Sequence, residues 1–313
     1  MPKKVLRLFR ALQRPAVFGM IHVPALPGTP SSSLSVPEIL AVVEKEAKIY
    51  HSAGVDGIIV ENMHDIPYVK ADKVGPEIVS TMSLACSTVA SVCHPSRDKM
   101  CLGVQILAGA NEAAMAVAHA TGFDFIRAEC FVFSHVADEG ENFIRYMLCI
   151  LHTSHISISF LRFHGLINIS LGISGWMDGC AGSLLRYRKR IGADNVAVFT
   201  DIKKKHSAHA VTSDVSIADT AINAQFFLAD GVILTGNSTG LKANKNELKE
   251  VIEHTGGDLP VLIGSGVDLW NLKEFREANG LIVGSSLKKS GDWRGELCAD
   301  KVKKISQAIR RLY

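Results

Sequence analysis

Short runs of apolar and β-branched residues recur along the chain at 17–22, 57–62, 102–107, 125–132, 196–201, 231–235, 260–264 and 280–284. None alternates steadily with polar positions, which predicts strands buried on both faces, as in a parallel sheet covered by helices. Helical spacing follows several of them. It spans 36–53, then 76–93 with Pro76 suited to a first helical position, then an Ala-rich stretch for which Asn111 is a plausible N-cap. Spacing of the same kind closes the chain at 299–312. Eight such units predict an α/β fold, a (β/α)8 TIM barrel built as one domain over 16–313. An open doubly wound sheet is the alternative.

One interval breaks the rhythm. The fourth and fifth runs start at Phe125 and Val196, roughly 70 residues apart, against roughly 20–45 for the other neighbours. The excess falls in residues 141–175, an atypical apolar insertion between strand 4 and helix 4, rich in Ile, Ser and His without a helical period. Two explanations stand: a lid over the barrel mouth, or a stretch foreign to the working protein, such as translated intron. The aperiodic apolar character favours the second.

Composition narrows the function classes. A net charge of +3, from 34 basic and 31 acidic residues in 313, does not suit nucleic-acid binding. Seven cysteines with no CxxC pair read as reduced thiols rather than disulfides or a zinc site. The most apolar long stretch, 142–174, is interrupted by Arg145, Arg162 and three histidines, so no membrane span is predicted. Residues 1–15 carry Lys3, Lys4, Arg7, Arg10 and Arg14 between apolar positions, with no acid before Glu38. That suits either a mitochondrial transit segment or a basic amphipathic helix closing the barrel floor, and leaves mitochondrion and cytoplasm both open.

In a (β/α)8 barrel the chemistry sits at the C-terminal strand ends. The last two strands carry the strongest signal, Gly264-Ser265-Gly266 and Gly284-Ser285-Ser286. Glycines admit a phosphate closely and the following N–H groups donate to it, which predicts a small phosphorylated substrate. Asn62, Arg127 and Thr235 are placed as further substrate contacts. Asp201, Glu61, Lys205, His206 and His22 are the candidate groups for proton transfer and charge stabilisation. Arg127 and Glu129, two apart on one strand, are expected to pair if both face inward. No cofactor is certain; a divalent metal on Asp201, His206 and His209 stays open, although the spacing matches no strong signature.

Several ordered motifs resemble the BtpA family: Gly19-Met20-Ile21-His22-Val23-Pro24-Ala25-Leu26-Pro27-Gly28, Gly57-Ile58-Ile59-Val60-Glu61-Asn62, Ile126-Arg127-Ala128-Glu129, Lys205-His206, Gly231-Val232-Ile233-Leu234-Thr235, Ile263-Gly264-Ser265-Gly266-Val267 and Gly280-Leu281-Ile282-Val283-Gly284-Ser285. The likeness covers nearly the whole chain, and residues 141–175 are read as outside the family pattern. It implies a barrel related to phosphate-binding enzymes, and a family role named for photosystem I biogenesis, other members accompanying sugar metabolism. The expectation is therefore an enzyme on a phosphosugar or nucleotide-derived compound, of isomerase, lyase or hydrolase type. The alternative is a non-catalytic assembly factor that binds a protein partner. Homo-oligomerisation stays open.

Overall fold

The computed structural model describes residues 3–137, 175–204, 206–236 and 242–312. Its strands are β1 (Ala16–His22), β2 (Gly57–Glu61), β3 (Cys101–Gln105), β4 (Phe125–Ala128), β5 (His135–Ala137), β6 (Gly175–Met177), β7 (Ala197–Ile202), β8 (Ser207–Ala208), β9 (Gly231–Leu234), β10 (Val261–Ile263) and β11 (Gly280–Val283). The α-helices are α1 (Lys4–Ala11), α2 (Val36–Ala53), α3 (Pro76–Cys93), α4 (Asn111–Thr121), α5 (Ala181–Arg190), α6 (Ile217–Phe226), α7 (Lys245–His254) and α8 (Ala299–Leu312). Eight parallel strands close in the order β1-β11-β10-β9-β7-β4-β3-β2, so the barrel expected from the eight apolar runs is the fold.

Two-sided burial explains those runs. Phe18, Met20, Ile59, Cys101, Phe125, Phe199, Ile233, Leu262 and Ile282 form one apolar cluster inside the barrel. The residues between them, such as Val17, Ile58, Leu102, Ile126, Val198 and Val232, belong to a second cluster under the helices. Along each strand the side chains alternate between the two clusters. Three large rings fill the lower interior, and each faces a glycine on a neighbouring strand: Phe18 over Gly57, Phe125 over Gly103, Phe199 over Gly231. A Cβ on those glycines would come within 2.5 Å of the ring atoms.

The basic segment at the start of the chain becomes the barrel floor. Helix α1 buries Val5 and Phe9. The Phe9 ring stands edge-on to Phe18 and Phe199, at centroid distances of 6.2 and 5.9 Å. Lys4 donates to the carbonyls of Arg97 and Met100, and Lys3 pairs with Asp230 at 2.6 Å.

Two local expectations are corrected. Asn111 is not an N-cap but the first helical residue of α4; its amide donates to the Glu129 carbonyl and its Oδ1 accepts from the Glu129 N–H. After β10 the chain makes only a 3-10 turn, Leu272–Phe275, instead of a full helix. Asp268 and Asn271 hold that loop by accepting each other's backbone N–H. The 76–96 helix, α3 with the 3-10 turn after it, is by length and composition apolar enough to cross a membrane. Here it packs between α2 and α4 and buries Ile78, Met82, Ala85, Cys86, Val89 and Cys93.

At the mouth, β5 pairs antiparallel with both β6 and β8. The β5–β6 register ends with Ala137 opposite Gly175. Of the stretch 141–175 set apart in the sequence, only Gly175 lies among the described residues, and it is the first residue of β6.

Candidate active site

The alternation that buries apolar groups low in the barrel brings polar ones to its top. His22 ends β1, Glu61 ends β2, Gln105 ends β3, Arg127 lies in β4 with Glu129 just after it, and Asp201 lies near the end of β7; all are buried. A cavity of about 270 Å³ opens there, lined by His22, Glu61, Arg127, Asp268, Gly264-Ser265-Gly266 and Gly284-Ser285-Ser286, among others. The two Gly-Ser loops singled out in the sequence therefore share one cavity with three of the candidate polar groups.

The loops are braced by their own serines. Ser265 Oγ accepts from the Gly236 N–H at 2.6 Å, and Ser286 Oγ donates to the Val267 carbonyl at 2.7 Å. Asn271 Nδ2 donates to the Gly266 carbonyl at 2.7 Å. Among the described residues, the backbone N–H groups of Gly266, Ser285 and Ser286 donate to no protein acceptor. Gly266 has φ +66°, a left-handed conformation that a side chain would strain. Gly264 serves packing instead: a Cβ there would lie 2.6 Å from Ile233 Cγ2.

Opposite the loops, His22 Nδ1 is 3.3 Å from the Trp293 carbonyl. A proton on Nδ1 satisfies that carbonyl and turns Nε2 toward Glu61, 3.9 Å away. Arg127 is clamped by Asp201 through three N–H···O contacts of 3.0–3.2 Å. Burial alone would lower the pKa of this guanidinium, but the charges of Asp201, Glu61 and Glu129 outweigh it and hold the value above the ordinary one. Arg127 is thus a fixed cation in the cavity wall.

The expected Arg127–Glu129 pair is not formed. Glu129 pairs with Lys204 at 3.1 Å and accepts from the Gly109 N–H at 2.7 Å and from Gln105 Nε2 at 3.2 Å. Burial would raise its pKa, yet Lys204 first and the Gly109 N–H second bring it below the usual carboxylate value. Lys204 was overlooked within the run Lys203-Lys204-Lys205. Extended alternation from Asp201 would turn Lys203 and Lys205 inward, but Lys203 has φ +48°. That twist breaks the period and buries Lys204.

Asp201 is engaged with Arg127, His206 is exposed, and Lys205 lies outside the described residues. His209 meets the Lys204 carbonyl at 2.9 Å, and among the described residues no set of three His, Cys, Asp or Glu side chains is arranged to hold a metal. Asn62 is also diverted: its amide donates to Asp65 and its Oδ1 accepts from the Leu107 N–H, which ties two mouth loops together. Thr235 lies beside Gly264, and among the described residues its buried Oγ1 has no hydrogen-bond partner; nor has Gln105 Oε1.

Comparison with known proteins agrees with this architecture. The BtpA family model matches residues 13–143 and 150–311. Most of the stretch read as outside the family pattern thus falls within the second matched span, and only 144–149 lie between the two. A Caenorhabditis elegans protein named as uncharacterised and mitochondrial is 48% identical over 299 residues, covering 96% of this chain and 94% of its own. The photosystem I biogenesis protein BtpA of Synechocystis is 30% identical over 277 residues, covering 88% and 81%. Among solved structures, KGPDC from Streptococcus mutans superposes with a TM-score of 0.53 over 96% of this chain and 99% of its own. Thiamine phosphate pyrophosphorylase from Pyrococcus furiosus does so with 0.52 over 96% and 97%. Both are 10% identical and speak to the fold alone.

Proposed function

The chain belongs to the BtpA family, and from that premise we propose that it is an enzyme acting on a small phosphorylated metabolite held at the barrel mouth. The observation that carries this reading is the single cavity in which both Gly-Ser loops face His22, Glu61 and Arg127. The N–H groups of Gly266, Ser285 and Ser286 would take the phosphate oxygens. His22 and Glu61 would move a proton at the neighbouring substrate atom, and Arg127, kept in place by Asp201, would stabilise the negative charge that develops there. This arrangement suits isomerase or lyase chemistry. The name of thiamine phosphate pyrophosphorylase lends the substrate class support by analogy only.

The test is ligand-dependent melting against phosphorylated metabolites. Ser285→Asp puts a negative charge into the cradle without straining the backbone. Stabilisation present in the wild type and lost in this variant is the expected outcome; no shift with any compound would overturn the reading.

A second reading, a factor that docks a protein partner, draws on the Synechocystis relative's name and on one observation. Phe226, Phe227 and Leu228 at the end of α6 are 76%, 46% and 69% exposed, an apolar cluster of the kind interfaces cover. A stoichiometric partner released by Phe226→Ser, together with no ligand response, would favour it. Following the worm relative's name, we assign the chain to the mitochondrion, which subcellular fractionation checks.

A further inference from the structure

A cavity of about 760 Å³ lies at the barrel floor, at the end opposite the mouth. That volume falls within the range for small-molecule sites, about 300–1,000 Å³. Helix α1 forms one side of it. The C-terminal end of α2, the residues that lead into β2 and β3, and Arg310 of α8 form the others.

Its lining is short of negative charge. Lys4, Arg7, Lys99 and Arg310 face Asp56 and Asp98 there. Asp56 is already neutralised: Arg14 holds its two oxygens at 2.7 and 2.8 Å, and the Val17 N–H donates to it at 2.8 Å. Lys4 has only a share of a carboxylate, because Asp124, 3.6 Å from its Nζ, is held more closely by Arg97 at 2.7 Å. Burial lowers the Lys4 pKa, and the Asp124 charge does not restore it. Arg7, Lys99 and Arg310 are exposed, come from three separate parts of the chain and, among the described residues, form no ion pair. Arg310 gives one N–H to the Gly54 carbonyl and keeps its charge uncompensated. Three unpaired cations therefore face one unpaired acid, Asp98. A concave wall of one sign focuses its field and concentrates counter-ions.

We propose that the floor cavity binds a small polyanion, a metabolite that carries two or more phosphate or carboxylate groups. The charges would meet Arg7, Lys99 and Arg310, and the carbon part of the ligand would lie on Leu8, Leu12 and Val55 between them. The concave shape favours a small molecule over an extended polymer. Such a ligand ties α1 to α8 and to the residues before β3, so it acts as an effector that holds the floor helix in place. The site shares no lining residue with the mouth cavity and does not depend on how the mouth is read.

The experiment is calorimetric titration of the whole chain with pyrophosphate, with citrate and with ATP without added magnesium. It is run on the wild type and on Ser285→Asp, whose mouth cradle is closed to anions. At least one of the three is expected to bind both chains with a Kd below about 1 mM. Binding of pyrophosphate or ATP assigns phosphate to the site, and binding of citrate alone assigns carboxylate. Arg7→Glu combined with Lys99→Glu should weaken the complex about tenfold or more. Both residues are exposed, so the fold is not at stake. Lys245→Glu combined with Lys249→Glu, the same change of net charge on α7, should leave binding as it was. Amide exchange in α1 should slow when the ligand is bound. No binding of any of the three by the Ser285→Asp chain would overturn the site. Equal weakening by the α7 pair, or unchanged exchange in α1, would do the same.

Discussion

The side chains of Arg127 and Asp201 are 5% and 1% exposed, so neither charge has water to fall back on. Asp201→Asn leaves a buried guanidinium without its counter-ion, and breaking such a pair costs about 3–5 kcal/mol. The urea midpoint should fall accordingly, and any ligand bound through Arg127 should weaken with it. His135 offers a pH handle. Its pKa is pulled from 6.5 to about 4, first by burial and then by the charges of Lys204 and His209. The folded value lies below the unfolded one, so between about pH 4 and 6.5 the unfolded chain binds more protons and stability falls on acidification. From pH 7.5 to pH 5 the loss from this group is about 2 kcal/mol. Denaturation of His135→Gln at the two pH values should show that part of the difference gone. At this scale the sequence was legible where the strand period runs unbroken, as for His22, Glu61 and Arg127. It misled beyond Asp201, because the left-handed turn at Lys203 is a property of the folded loop and not of the residue type.

Elements were more legible than residues. Eight runs apolar on both faces already demand a layer of helices outside and a packed interior. What the runs did not show is how the interior is filled. Gly103→Ala places a methyl 2.3 Å from the Phe125 ring, and overpacking of this kind costs about 1–3 kcal/mol. Pairing it with Phe125→Leu should recover part of the loss in Tm, which would show that the ring and the glycine act as one unit. Strands β5, β6 and β8 were invisible in the sequence, since two or three residues carry no period. Their pairing bears on residues 141–174. Deleting these leaves Asp138-Glu139-Gly140 to join Ala137 to Gly175, whose Cα atoms are already register partners. Three residues with a terminal glycine form a common hairpin loop. We therefore propose that the barrel does not need the segment. The deletion variant should melt within about 5 °C of the full chain, and failure to fold would make the segment structural.

For the molecule as a whole, the gradient inside the barrel is the organising fact: rings and aliphatic groups at the floor, ionised and polar groups at the mouth. Charge repels charge least where water can enter, and the loops that admit a ligand lie at that end. The floor is finished by the first residues of the chain, and that arrangement has a consequence in time. Phe9 packs on Phe199, which is made 190 residues later. At 5–20 residues per second, about 10–40 s of synthesis separate the two. Throughout that interval the apolar face of α1, flanked by basic residues, has no barrel to enter. A receptor that reads such a face would find it on the nascent or unfolded chain and would lose it once the barrel closes.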